Sequence, residues 1–156
     1  MRNINLIRAT AEDAEQIWNM QKVAFADLLE KYQDFDTNPA SEPKEKTVKR
    51  LNSASSYFYF ICADGETVGA IRVIDKKSDQ ESKRISPVFI MPQHRRKGYA
   101  QAAILQAEKI HGSDNWELDT ILQEKGNCCL YEKMGYRRTD KIKQINSKLT
   151  LIYYKK

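Results

Sequence analysis

Ile85-Ser86-Pro87-Val88-Phe89-Ile90-Met91-Pro92-Gln93-His94-Arg95-Arg96-Lys97-Gly98-Tyr99-Ala100-Gln101-Ala102-Ala103-Ile104-Leu105-Gln106-Ala107 is the stretch on which the fold turns. Its first part, 85–91, is apolar and suits a buried strand. Pro92 ends that strand, because proline brings no N–H to a ladder. A basic turn, 93–97, leads to Gly98. From Tyr99 onward Ala102, Ala103, Leu105, Ala107 and Ile110 recur at helical spacing among good helix formers. A strand therefore runs into a basic, glycine-bearing turn that opens a helix.

That geometry has a chemical use. The first N–H groups of a helix lack partners within it, and the macrodipole leaves that end partly positive. Phosphates bind there. Gly98 has no Cβ and lets a bulky group approach the backbone, while Arg95, Arg96 and Lys97 add full charge. The expectation is a diphosphate held by main-chain N–H groups of residues 96–100. A solvated basic turn would have the same local sequence, so the turn alone does not decide.

Outward from this stretch the chain alternates in short elements. A strand is expected over 5–9, then a helix capped by Thr10 with Ile17, Met20, Ala24 and Leu28 on its core face. Ser41 is read as the cap of a second helix with Pro43 early in it. The aromatic run 57–63 is β-prone, Asp64-Gly65 is a hairpin turn, and 67–74 returns as the partner strand. Further strands are expected at 116–121, 136–145 and 148–154, with a short helix at 127–134 closed by Gly135. The order β-α-α-β-β-β-α-β-α-β-β describes a mixed, mostly antiparallel sheet of about seven strands flanked by helices, an α+β domain.

The chain has 156 residues, the size of one domain, 1–156. No apolar run reaches membrane-span length, and the N-terminus lacks a signal-peptide core. Cys62, Cys128 and Cys129 give neither a disulfide framework nor metal spacing, so a reduced, cytoplasmic protein without a metal is expected. The net charge of +5 favours anionic partners. No DNA- or RNA-binding signature is present, and neither nucleic acid nor membrane is expected as a partner.

Arg95-Arg96-Lys97-Gly98-Tyr99-Ala100 resembles the Arg/Gln-x-x-Gly-x-Gly/Ala signature of the GNAT superfamily of N-acetyltransferases, and Leu130-Tyr131-Glu132-Lys133-Met134-Gly135-Tyr136 resembles that family's second block. The resemblance covers nearly the whole chain and implies the GNAT fold. It implies acetyl-coenzyme A as co-substrate, an amine as acceptor, and direct attack in a ternary complex. Arg95, Arg96, Lys97, Gly98, Tyr99, Ala100 and Gln101 would hold the diphosphate. Val88, Phe89 and Ile90 would line the pantetheine arm, with the Ile90 N–H as oxyanion donor; Pro87 suits a bulge there. Tyr131 would be the general acid toward the sulfur.

Some members of the resembled family carry a glutamate at the position of Asp119, acting as base directly or through water, which makes Asp119 the candidate base; its shorter side chain favours the water relay. Many family members have an asparagine seven positions before the tyrosine; here that residue is Glu124, and Asn127 either takes over the cofactor contact or caps the helix. His94 is read as packing. Tyr32, Asp34 and Phe35, in the loop expected to wall the acceptor side, are acceptor-pocket candidates. Dimers are common in the resembled family, so a homodimer is a possible assembly. A non-catalytic acyl-coenzyme A sensor would share the binding residues but release no thiol.

Overall fold

The computed structural model describes residues 3–156. Strands β1 (Asn5–Arg8), β2 (Ser56–Ala63), β3 (Glu66–Ile74), β4 (Lys83–Ile90), β5 (Trp116–Ile121), β6 (Arg137–Gln144) and β7 (Thr150–Lys155) form one sheet in the order β1-β2-β3-β4-β5-β7-β6. Helices α1 (Ala14–Tyr32), α2 (Lys44–Asn52), α3 (Tyr99–His111) and α4 (Lys125–Lys133) complete the α+β order expected from the sequence. Asp64 and Gly65 take φ of 50° and 79°, the left-handed pair that lets a two-residue turn match strand twist, and β2 and β3 pair tightly across it.

The sheet has a core on each face. Ile17 of α1 meets Phe58, Phe60, Ala70 and Phe89 on one side. On the other, Ala103, Ile104 and Ala107 of α3 and Tyr131 of α4 meet Ile71, Val73, Leu118 and Tyr154. The strands supply both sets because alternate side chains point to opposite faces.

Two features of β4 shape what lies at the centre. Ile71 is opposite Val88 and Val73 is opposite Ile85, so β4 holds an extra residue at Ser86-Pro87, a bulge. The Ser86-Pro87 peptide is cis. On its other edge β4 pairs in parallel with β5 at Lys83–Trp116 and Arg84–Glu117, and past those rungs the two strands diverge.

Local boundaries differ from the sequence reading where polar side chains capture the backbone. Thr10 caps a single 3₁₀ turn (Ala11–Asp13) by exchanging bonds with Asp13, and α1 begins after it. Ser41 does not cap α2. It ends a 3₁₀ turn, Pro39–Ser41, that Asn38 caps by accepting the Ala40 N–H at 2.7 Å, and α2 starts only after Pro43. Asn127 lies inside α4 rather than at its cap, which is Glu124.

Behind the C-terminal end of α3, His111 is buried between Tyr59, whose hydroxyl is 2.8 Å from Nε2, and Asp75, 2.8 Å from Nδ1. Burial lowers the His111 pKa from its usual value of 6.5, and the Asp75 bond only partly offsets this. The folded state thus holds fewer protons than the unfolded chain below about pH 6.5. Stability is full above that pH and is lost as pH falls through it. Melting temperature should drop between pH 7 and 5, and His111→Gln should flatten that part of the profile; an unchanged slope would refute the assignment.

Candidate active site

The Met91 N–H donates to Val68 O at 2.8 Å, so alternation along an antiparallel ladder turns the N–H groups of Val88 and Ile90 away from β3. They face the edge from which β5 has diverged. Val88, Phe89 and Ile90 thus form the expected apolar wall, with two main-chain donors on its open side.

The chain then makes a 3₁₀ turn (Pro92–His94) and reaches Arg96 at φ 64° and Gly98 at φ 80°. Gly98 is the N-cap of α3, and no side chain caps that end. Left-handed residues alternating with a residue of ordinary φ ahead of a helix start turn N–H groups toward a common concavity. Arg96 and Lys97 are exposed. Arg95 is used differently. Its Nε donates to Ile90 O at 3.0 Å and its Nη2 to Ala24 O at 2.6 Å, with Nη1 3.9 Å from Asp27. The guanidinium expected on a phosphate instead braces the end of β4 against α1. His94 is largely buried, 3.8 Å from Glu66, in the packing position read from the sequence.

Two cavities meet at this edge. The larger, about 730 Å³, is lined by Val88, Phe89, Ile90, Arg95, Arg96 and residues 98–101. The smaller, about 190 Å³, contains Asp34, Ser86, Pro87 and Asp119 in its wall. Phe25, Leu28, Val88, Asn127 and Tyr131 line both. Sequence reading found the last three. It missed Phe25 and Leu28, whose three-residue spacing on α1 was the available signal.

Tyr131 packs its ring 6.1 Å from that of Tyr136 and 6.2 Å from that of Tyr154. Burial, with smaller contributions from Asp119 and Cys128, pushes its phenol up to about 12. The group keeps its proton at neutral pH and can give it up only to a stronger base. Asp119, on the wall of the smaller cavity, is ion-paired to Arg84. That pairing engages one carboxylate oxygen, Oδ2.

The loop candidates have other work. Tyr32 is buried and donates to Glu124 Oε2 at 2.5 Å, where Lys31 Nζ also arrives at 2.8 Å. The Lys31 and Tyr32 bonds hold the Glu124 carboxyl below the usual range. Glu124, the departure noted in the sequence, therefore ties the start of α4 to the end of α1 and draws Tyr32 away from both cavities. Asp34 reaches the smaller cavity, but its Oδ1 accepts the N–H groups of Asp36 and Thr37 at 3.2 and 2.9 Å, and its Oδ2 the Thr37 hydroxyl. Its acceptors are spent on a turn. Phe35 is 63% exposed and lines neither cavity.

The model of the acetyltransferase (GNAT) family matches residues 16–136. The chain belongs to the acetyltransferase (GNAT) family. It is with that family an acetyl-coenzyme A-dependent acyltransferase. No curated protein matches it by sequence. Among solved structures, the PaiA N-acetyltransferase of Thermoplasma acidophilum, in complex with coenzyme A, is 17% identical with a TM-score of 0.71, covering 99% of each chain. The spermidine N-acetyltransferase of Vibrio cholerae, in complex with coenzyme A and spermine, is 17% identical with a TM-score of 0.74, covering 97% of this chain and 93% of that one. An acetyltransferase of Thermus thermophilus is 15% identical with a TM-score of 0.70, over 99% and 97%. At these identities the likeness is one of fold. No helix among the described residues is long and apolar enough to cross a membrane.

The brace at Arg95 makes a stability prediction for this GNAT chain. Arg95→Gln removes charge-assisted bonds to two main-chain carbonyls and should cost about 1–3 kcal/mol in urea unfolding. A change near zero would mean that the guanidinium is free for a ligand instead.

Proposed function

We propose that this single domain, 1–156, is an N-acetyltransferase that moves the acetyl group of acetyl-coenzyme A to a primary amine by direct attack in a ternary complex. The observation that carries the reading is the junction at Val88 and Tyr131, where a cavity floored by a basic helix start meets a second one large enough for a small amine. A donor-bearing strand edge, an uncapped helix N-terminus and exposed cations fit a diphosphate-bearing thioester.

In this reading the N–H groups of Arg96, Gly98, Ala100 and Gln101 hold the diphosphate, with Arg96 and Lys97 adding charge and Tyr99 anchoring the turn. Val88, Phe89 and Ile90 take the pantetheine arm along the open edge of β4, much as a strand from β5 would have been taken. The oxyanion donor expected at Ile90 is better assigned to Val88. Both N–H groups face the same edge, but Val88 lies at the junction with the acceptor cavity and Ile90 does not. Ile90 then serves an amide of the arm. One such donor supplies about 3 kcal/mol of transition-state stabilisation.

The chemistry divides among few groups. An ammonium acceptor must first lose a proton, which Asp119 takes through water. The amine nitrogen bonds to the acyl carbon as Val88 N–H holds the developing oxyanion. The C–S bond breaks as the nitrogen sheds its second proton to solvent, and Tyr131 protonates the departing sulfur, later recovering a proton from water. One ammonium and one thioester become one amide, one thiol and one proton. Asn127, on both cavity walls, takes the cofactor contact, while Glu124, on the wall of the larger cavity alone, has its Oε2 engaged by Lys31 and Tyr32.

Calorimetry should detect coenzyme A binding to the folded protein. Thiol release across an amine panel should show turnover that Tyr131→Phe lowers by about a hundredfold or more, with coenzyme A affinity unchanged. Binding without thiol release from any amine would make the protein an acyl-coenzyme A sensor.

A further inference from the structure

A row of polar side chains crosses the sheet beside the smaller cavity, on the face that carries α1 and α2. Register fixes the row. Arg84 of β4 is opposite both Ile74 and Glu117, Asp119 is opposite Tyr153, and Arg72 shares the face of Ile74 two residues away. A further cavity of about 590 Å³ opens over this part of the sheet, with Arg84, Glu117, Asp140, Lys141, Tyr153 and Lys155 in its wall. Arg84 lines this cavity and Asp119 the smaller one, so their ion pair forms the partition between the two.

The cations here, Arg72, Arg84, Lys141 and Lys155, outnumber the carboxylates, Asp119, Glu117 and Asp140, by one. Arg84 is shared between Asp119 and Glu117, the latter 3.7 Å from Nη1. Lys141 lies 4.3 Å over the Tyr153 ring, and neither Lys141 nor Lys155 is ion-paired among the described residues. Among the described residues Arg72, 8% exposed, is in no ion pair and its Nε makes no hydrogen bond, while Nη1 reaches the Ser56 hydroxyl at 3.4 Å. The opposite charge is scarce toward the acetyl junction. Asp34 is spent on its turn, and Asp119 is held by Arg84. A polycation would find no free pair of carboxylates there, and its second ammonium would face Arg84.

We infer that the acceptor is a small primary amine that also carries an acidic group, its ammonium directed to Asp119 and Tyr131 and its acid to Arg84 and Lys141. An amino acid is the simplest such molecule. The inference rests on the acetyl transfer proposed above. It also gives the Arg84–Asp119 pair a role, because an acid that engages Arg84 competes with Asp119 for the guanidinium. Arg84 is then a specificity-determining residue.

The test is thiol release by the full chain saturated with acetyl-coenzyme A, after calorimetry has established coenzyme A binding. The panel pairs α- and ω-amino acids and aminoalkyl phosphates with their acid-free amines of equal length, and adds spermidine. The best acid-bearing amine should exceed its acid-free counterpart by about tenfold or more in kcat/KM, the effect of one charge-assisted hydrogen bond. Carboxylate and phosphate arms distinguish which acid is read. Arg84→Gln should raise KM for the acid-bearing amine, narrow the gap and improve spermidine; Lys141→Ala, at an exposed position, should raise the same KM in a chain whose urea unfolding is unchanged. Equal or better turnover of the acid-free amines or spermidine overturns the inference while acetyl transfer stands. So does an Arg84→Gln loss equal for all amines, or bound coenzyme A with no turnover of any amine. Failure to bind coenzyme A at all removes the acetyl-transfer reading itself.

Discussion

A parallel strand pair that stops after its first rungs leaves main-chain donors that must find another partner. In this chain the pair is β4 and β5, joined at Lys83–Trp116 and Arg84–Glu117 and open beyond. Buried N–H groups do not stay unbonded without cost. The donors of Val88 and Ile90 therefore define a place for a third, extended group between the strands. The bulge at Ser86-Pro87 comes just before this opening, where Pro87 in any case offers no N–H. The helix that follows β4 brings its N-terminus to one end of the opening, and α4 brings Tyr131 to the other. Divergence of one strand pair thus aligns a basic helix start, a donor edge and the Tyr131 phenol, the three parts the proposed acetyl transfer uses.

An opening of this kind must be held apart as well as formed. Helix α1 spans it. Near its middle, the Ala24 carbonyl takes Arg95 from the far end of β4. At its end, Lys31 and Tyr32 converge on Glu124 at the start of α4, while the Tyr32 carbonyl takes Asn146 from the β6–β7 turn at 3.0 Å. Bonds to charged groups are each about twice as strong as neutral ones. Both walls are therefore referred to one helix, and Phe25 and Leu28, between those ties, line the junction itself.

This division of labour explains what could and could not be read from the sequence. The strand, basic turn and helix of 85–107 were legible because periodicity, proline and glycine act locally, and their order fixed the α+β architecture. Tyr131 was legible from its surrounding block. Arg95 and Tyr32 were recognised as important residues with the wrong partners, since their bonds to Ala24 and Glu124 join positions far apart in the chain. Asp34 looked like a binding carboxylate because nothing in its composition tells an Asx turn from a free acid. Arg72 and Arg84 were invisible, because only sheet register brings them to one face with Asp119. The proposed oxyanion donor is Val88 rather than Ile90 for a similar reason: parity along β4 is readable, but the junction of two cavities is not.

The tyrosines around α4 supply one more argument from chemistry. Tyr136 places its hydroxyl on Glu108 at 3.0 Å, and Tyr154 places its own on Glu132 at 2.7 Å. Both are satisfied and serve the core. Tyr131, packed against the pair of them and only 8% exposed, makes no hydrogen bond through its phenol among the described residues. Tyr131 lines both cavities, and its phenol keeps its proton at neutral pH. Under the acetyl-transfer reading proposed above, such a donor suits a partner that arrives from outside and becomes strongly basic on the way, as a thiolate does when its acyl group leaves.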